Sequence, residues 1–200
     1  MIWDERYGGS GYLFGTEPNR FLTGQSERLQ PGLDALAVAD GEGRNSVYMA
    51  ERGINVTAMD SSRVGLAKAR HLAEHRGVEV NFVEADLADW AWTADAYDLV
   101  VAIFIQFANP AFRTALFDGM QRTLKPGGIL LLHGYTPRQI EYGTGGPPQV
   151  ENLYTREILA DAFPGLEILT LRDYEARLAE GSGHAGRSAL IDLVAKKHPA

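Results

Sequence analysis

Four short segments carry the residues best suited to chemistry. The first, Asp40-Gly41-Glu42-Gly43-Arg44-Asn45, follows an apolar run and precedes a helical pattern. Its glycines let the backbone come close to a ligand at a helix N-terminus. Asp60 closes the next apolar run, nineteen residues beyond Gly41. That is the spacing at which a carboxylate accepts both hydroxyls of a nucleoside ribose. Glu84-Ala85-Asp86-Leu87 places another acid at the end of a third run, and Phe104-Ile105-Gln106-Phe107 follows a fourth. In open α/β sheets, ligands lie beyond the carboxyl ends of the strands, near the point where strand order reverses. Any one segment reads equally as a plain strand-to-helix turn or a helix cap. Their joint occurrence at consecutive strand ends points to a nucleoside-bearing cofactor.

The type of cofactor follows from what is missing. A dinucleotide loop needs a third glycine where this chain has Ser46, and the phosphate motif G-x-x-x-x-G-K-[ST] is absent. The pattern therefore favours a ligand without pyrophosphate, held through its sugar and base by acids. Asn109-Pro110 falls too far past Ile103 to present an amide there, and reads as a helix cap with an N1 proline. His71 and His75 share one helix face at metal-ligand spacing but have no accompanying carboxylate motif, so they read as a solvated face and no metal is expected. His133 lies at the end of a strand, where it serves either as a structural hydrogen-bonding group or as a general base.

The elements that must position these residues alternate along the chain. Apolar runs at 33–39, 54–59, 78–83, 97–104 and 129–132 read as strands. Those at 99–103 and 129–132 are unbroken, as expected of strands buried on both faces. Helical patterns lie between them. One ends at Gly53, one is capped by Ser61 or Ser62 and ends at Gly77, and one runs from Asn109 to about Leu124. Lys125-Pro126-Gly127-Gly128 reads as a turn. Such alternation implies a doubly wound α/β domain with a mostly parallel sheet. Beyond Gly134 comes a Gly/Pro-rich loop at 142–148, a helix starting near Thr155, and two strand-like runs at 166–174 and 188–195. The segment joining those runs is short and not helical, which permits an antiparallel pair but not a parallel one. The chain divides into an N-terminal arm, residues 1–30, and one domain, residues 31–200.

Composition narrows the classes. Hydrophobic residues at 45% and charged residues at 22% exclude a wholly disordered chain. The formal net charge is −7, and the densest basic run is Lys196-Lys197-His198, so neither nucleic acid nor an anionic membrane is an expected partner. Cysteine is absent, which removes disulfides, thiolate nucleophiles and cysteine zinc sites. The charged, aromatic start lacks a secretory h-region, and no apolar stretch approaches the roughly 20 residues of a membrane helix. A cytoplasmic protein acting on a small molecule, monomeric or homodimeric, is expected.

The segment Ala35-Leu-Ala-Val-Ala-Asp-Gly-Glu-Gly-Arg-Asn-Ser-Val-Tyr-Met-Ala-Glu-Arg-Gly53 resembles the S-adenosylmethionine loop of class I methyltransferases. The likeness extends through Val56–Asp60, Glu84–Leu87, Asp98–Phe104 and Leu124–Ile129. With Trp3–Tyr7 and Tyr12–Asn19 it is nearest to the tellurite-resistance and thiopurine S-methyltransferase-like branch. The resemblance implies a Rossmann-like fold with a seven-stranded sheet, the C-terminal strand antiparallel. It also implies S-adenosyl-L-methionine as cofactor. Gly41 and Gly43 would flank the methionine part, Asp60 would bind ribose, and Asp86 would accept from the adenine amino group. The Leu87 N–H would meet the ring and Ile103 would line the methionyl side. Asp40, Asn45 and Ser61, beside these positions, complete the loop candidates.

The chain departs from the family pattern at two places. An acid usually stands where this chain has Ala37, and a first glycine where it has Ala39. Asp40, three residues on, is a candidate to take over the acid's task. The arm aromatics Trp3, Tyr7, Tyr12 and Phe14 are either packing or a lid around the cationic sulfonium, which ring faces attract by roughly 1–2 kcal/mol when desolvated; Trp3 and Tyr12 are the cofactor candidates among them. Tyr135 and the 142–148 loop form the other wall, as a plain connection or a substrate gate. No strong base stands in the predicted loops, so a soft or already ionised acceptor is expected, oriented by Gln106, His133 and Tyr135. Two rivals remain open: a catalytically silent cofactor-binding module, and a nicotinamide oxidoreductase.

Overall fold

The computed structural model describes residues 2–199. Its sheet has seven strands: β1 (Asp34–Val38), β2 (Asn55–Asp60), β3 (Asn81–Glu84), β4 (Tyr97–Ile103), β5 (Leu124–Tyr135), β6 (Leu166–Glu180) and β7 (His184–Lys197). Their order is β3-β2-β1-β4-β5-β7-β6. Parallel pairing joins β1 to β2, β2 to β3 and β4 to β5, while β7 runs antiparallel to β5. This is the α/β, doubly wound, mostly parallel sheet expected from the alternation of runs.

The chain forms two compact units. One holds the residues through Trp90 together with Glu180–Gly183; the other holds Ala91–Ala179 and the residues from His184 onward. In the first unit, α1 (Ile2–Tyr7) and α2 (Arg20–Thr23) lie in the arm, with α3 (Arg44–Glu51) and α4 (Arg63–Arg76) following β1 and β2. Caps written in the sequence fix the ends of α4. The Ser62 hydroxyl accepts from the Gly65 N–H at 3.0 Å, and Gly77, left-handed at φ +68°, closes the helix. Val47, Leu72 and Ala73 pack with Tyr12, Val78 and Phe82.

The second unit adds α5 (Pro110–Thr123), α6 (Gln139–Tyr142) and α7 (Arg156–Ala162). Asn109 and Thr155 cap α5 and α7 by accepting from Phe112 and Ile158, at 3.0 and 3.2 Å. Tyr135, Leu153, Leu178 and Leu190 form a buried cluster with Phe104 and Tyr174 against it.

Two boundaries differ from the sequence reading. Lys125–Gly128 is not a free turn but part of β5, which shifts register against β4 between Tyr97 and Leu99. Gly127 takes the left-handed φ of +80° that such a bulge needs. The C-terminal strands are also longer than their apolar runs, so that only residues 181–183 join them. The added part of β6 exposes alternate polar residues on an edge strand, which removes the hydrophobic signal that marks buried strands.

Candidate cofactor and acceptor sites

In the first unit, the loop after β1 is built on left-handed backbone. Ala39, Gly41 and Gly43 have φ of +48°, +62° and +88°. A Cβ at Gly43 would lie 2.6 Å from the Ala69 Cβ and 2.8 Å from its Cα, so this glycine lets α4 close on the loop. At Gly41 a Cβ would meet the Tyr7 hydroxyl at 2.6 Å. Ala39 holds a left-handed backbone that glycine adopts without strain.

Asp60 joins this loop to the next. Its Oδ2 accepts the Gly41 N–H and its Oδ1 the Ser62 N–H, both at 2.8 Å. Burial raises its pKa; the N–H groups of Ser62, Gly41 and Ser61 pull the other way. Asp40 Oδ2 accepts the Ser46 hydroxyl at 2.5 Å. Burial pushes the Asp40 pKa up to about 7, with Asp60 adding to the rise and Ser46 and Arg44 opposing it. At the end of β3, Asp86 is exposed and its Oδ1 accepts the Ala88 N–H at 2.9 Å, while Leu87 is buried.

The arm is fastened to these same loops. Asp4 Oδ1 accepts the Ser62 hydroxyl at 2.6 Å and the Val64 N–H at 3.3 Å, which holds its pKa below the usual carboxylate value. Trp3 stacks on the buried Tyr7, ring centroids 5.5 Å apart, and the Arg6 guanidinium lies over Trp3 at 4.4 Å. The Tyr12 hydroxyl donates to the Lys68 carbonyl at 3.1 Å. Buried Glu42 accepts from Lys68 at 2.8 Å and from the Leu13 N–H at 2.7 Å. Asn45 Oδ1 accepts the Asn19 N–H at 3.0 Å, so Asn45 holds the arm to α3. Arg44 and Glu180 form a buried ion pair at 2.8 Å, and Glu180 also accepts from the Asn19 amide.

In the second unit, Ile103 ends β4 and is buried. Phe104 follows at φ +57°, a conformation that side chains other than glycine rarely hold. Its ring lies edge-on to His133 at 4.7 Å and to His184 at 4.1 Å, and stacks on Tyr135 at 4.6 Å. His133 Nδ1 is 2.7 Å from Asp192 Oδ1. Asp192 Oδ2 accepts from Arg172 Nε and Nη2 at 2.9 and 2.8 Å, and the Tyr174 hydroxyl donates to Oδ1 at 3.2 Å. The Gln106 amide is committed to the backbone: its Nε2 donates to the Tyr135 carbonyl at 2.8 Å and its Oε1 accepts the Tyr135 N–H at 2.6 Å. The structure thus gathers Gln106, His133 and Tyr135 around β5, with Gln106 acting as a clamp on the end of that strand.

Sequence reasoning missed Asp192, Arg172 and His184. For Asp192 a signal exists: it is the one charge within the apolar run Leu190–Val194. Arg172 and His184 carry no such signal: Arg172 reads as an ordinary surface charge, and the ring partners of His184, Phe104 and Tyr135, lie far away in sequence.

Comparison with known proteins bears on this architecture. A family profile described as "Methyltransferase domain" matches residues 35–128, a little under half of the chain. Over residues 35–128 the chain is thus similar to methyltransferase domains. The demethylmenaquinone methyltransferase of Thermus thermophilus is 36% identical over 104 residues, covering 51% of this chain and 47% of the relative. The chain spans about half or less of the length of the curated relatives it matches. The N-methyltransferase NodS of Bradyrhizobium japonicum, solved with S-adenosyl-L-homocysteine, superposes with a TM-score of 0.72 at 13% identity, over 98% of this chain and 96% of that one. TehB of Haemophilus influenzae gives 0.72 at 16% identity, over 98% of this chain and 65% of that one. At these identities the superpositions establish the fold. Among the described residues no helix is long and apolar enough to cross a membrane, and no group of three or more His, Cys, Asp or Glu could hold a metal ion.

Proposed function

We propose that the chain transfers a methyl group from S-adenosyl-L-methionine to a small-molecule acceptor. The observation that carries this reading is the tie between Asp60 and the Gly41 N–H at the tips of β2 and β1, inside the stretch similar to methyltransferase domains. The backbone N–H groups of Gly41 and Ser62, with that of Ser61, fix the Asp60 carboxylate in one orientation and leave it acceptor capacity for ribose. Asp86, exposed at the tip of β3, accepts from the adenine amino group, and the Leu87 N–H donates to the ring. Asp40, Glu42 and Asp60 converge on the loop around Gly41, so the charge of the loop suits a cationic ligand.

The bound donor supplies a methyl carbon already activated by its positive sulfur. The protein's share is alignment and exclusion of water, worth up to about 7–11 kcal/mol in favourable cases. Within the second unit, Phe104, His133 and Tyr135 are the residues offered to an acceptor, and Gln106 fixes Tyr135. His133 and Tyr135 are almost wholly buried among aromatic rings, which favours an acceptor that needs little help in losing a proton: a thiol, a chalcogen oxyanion or a small carboxylate. Placement in the tellurite-resistance and thiopurine S-methyltransferase-like branch rests on the arm motifs and on the TehB likeness. One observation favours a second reading, a silent cofactor-binding module: the uncharged Ala37 at the family's acid position.

Calorimetric titration with S-adenosylmethionine, S-adenosylhomocysteine and NADH separates these readings. Binding of the first two, abolished by Asp60→Ala, with methylation of a small acceptor, is the expected result. Binding without turnover across thiols, chalcogen oxyanions and carboxylates selects the silent module, and binding of NADH alone overturns both.

A further inference from the structure

Ala37 is 1% exposed in β1, paired with Ala58 of β2, and brings no charge to the strand end. The amino-acid tail of the donor carries an ammonium group, so on the reading above some other acid must meet it. Three carboxylates surround the Gly41 turn, and their existing bonds distinguish them. Glu42 is spent: one oxygen pairs with Lys68 and the other accepts the Leu13 N–H. Asp60 gives one oxygen to each of two backbone N–H groups and is the ribose acceptor. Asp40 has only neutral donors, the Ser46 hydroxyl on Oδ2 and the Ser46 N–H, and among the described residues it forms no ion pair. It also sits between two left-handed residues, Ala39 and Gly41, at the apex of the turn that follows β1.

We propose that Asp40 is the counter-ion of the donor's ammonium group, a task moved along the loop from the position of Ala37. This inference rests on the cofactor reading and adds a linkage to protons. The charged and titratable groups around Asp40 are Asp60 of β2, Glu42 of the loop, Tyr7 of α1 and Arg44 of α3, and Arg44 is already paired with Glu180. With burial and Asp60 both opposing its charge, the Asp40 carboxyl holds a proton up to about neutral pH. An arriving ammonium supplies the missing positive charge, so binding releases that proton to solvent and the carboxylate takes the new charge-assisted hydrogen bond.

The test compares S-adenosylhomocysteine, which has the tail, with 5′-methylthioadenosine, which lacks it, by calorimetry near pH 6 and pH 8. Asp40→Asn is expected to weaken S-adenosylhomocysteine about tenfold or more at the higher pH and to leave 5′-methylthioadenosine within about twofold. The wild-type protein gains affinity for S-adenosylhomocysteine with rising pH and releases protons on binding, as read from buffers of different ionisation enthalpy; Asp40→Asn loses both effects. Ser46→Ala, which removes the hydrogen bond but keeps the charge, retains the preference for the tailed ligand, and Asp40→Glu restores part of it. Equal loss of both ligands in Asp40→Asn, or loss of neither, overturns the assignment of Asp40 alone. Failure of both ligands to bind the wild-type protein overturns the cofactor reading and this inference with it.

Discussion

His133 and Asp192 are Cα partners on the antiparallel strands β5 and β7, and their side chains meet at 2.7 Å with both residues buried. Asp192 is the anchor of this arrangement, because Arg172 grips its other oxygen through two nitrogens. Removing the carboxylate strands His133 in the sheet and leaves Arg172 without its partner. Asp192→Ala is expected to cost about 1–3 kcal/mol, chiefly for the buried His133 nitrogen left without its partner. His133→Gln leaves the Asp192–Arg172 pair intact and costs less. Urea denaturation of the two variants gives the order, and equal losses would show that the histidine, not the carboxylate, organises the pair.

The loop glycines differ in what faces them. At Gly43 the obstacle is Ala69, including its backbone; at Gly41 it is the tip of the Tyr7 side chain, which can swing aside. Both positions add left-handed strain of about 1–2 kcal/mol for any residue with a Cβ. Gly43→Ala is therefore expected to lower the melting temperature more than Gly41→Ala, because α4 must move as a body. A larger drop for Gly41→Ala would mean that Tyr7 is held rigidly.

Ala39 bears the same left-handed strain in the natural sequence. Replacing it with glycine relieves about 1–2 kcal/mol and returns about 0.5–1 kcal/mol as added freedom of the unfolded chain. Ala39→Gly is expected to stabilise the protein by up to about 1 kcal/mol in chemical denaturation. Destabilisation would mean that the Ala39 methyl group makes packing contacts worth more than the strain.

Stability should also carry the signature of Asp40. Its carboxyl has an ordinary pKa of 3.8 raised to about 7 in the folded chain, so the native state holds the proton more tightly than the unfolded one. Stability contributed by this group is present below about pH 4 and is lost as pH climbs toward 7. The difference in unfolding free energy between wild type and Asp40→Asn, measured across that interval, is expected to move against the wild type with rising pH. A flat difference would show that Asp40 titrates as an ordinary surface acid.

Much of the scaffold was legible because local chemistry and global fold agree. Ser62, Gly77, Asn109 and Thr155 cap their helices as their residue types demand. The unbroken apolar runs of β4 and β5 declare burial on both faces. Edge strand β6 was legible over 166–174 but not in its extension to Glu180, where Glu175, Arg177 and Glu180 give the composition of a loop. The loop positions 39–43 and 60 were visible, but not which contact each glycine serves, because Ala69 and Tyr7 come from other parts of the chain. Likewise, the choice of Gln106 between ligand and backbone is made by Tyr135, twenty-nine residues on.

The Arg44–Glu180 pair has a consequence for how the polypeptide is made. Asn19 and Arg44 near one end wait for a carboxylate that leaves the ribosome more than a hundred residues later. Until that carboxylate emerges, a guanidinium destined for a dry interior has no counter-charge. The N-terminal half should therefore stay open during synthesis, and a fragment ending at Trp90 should not reproduce it.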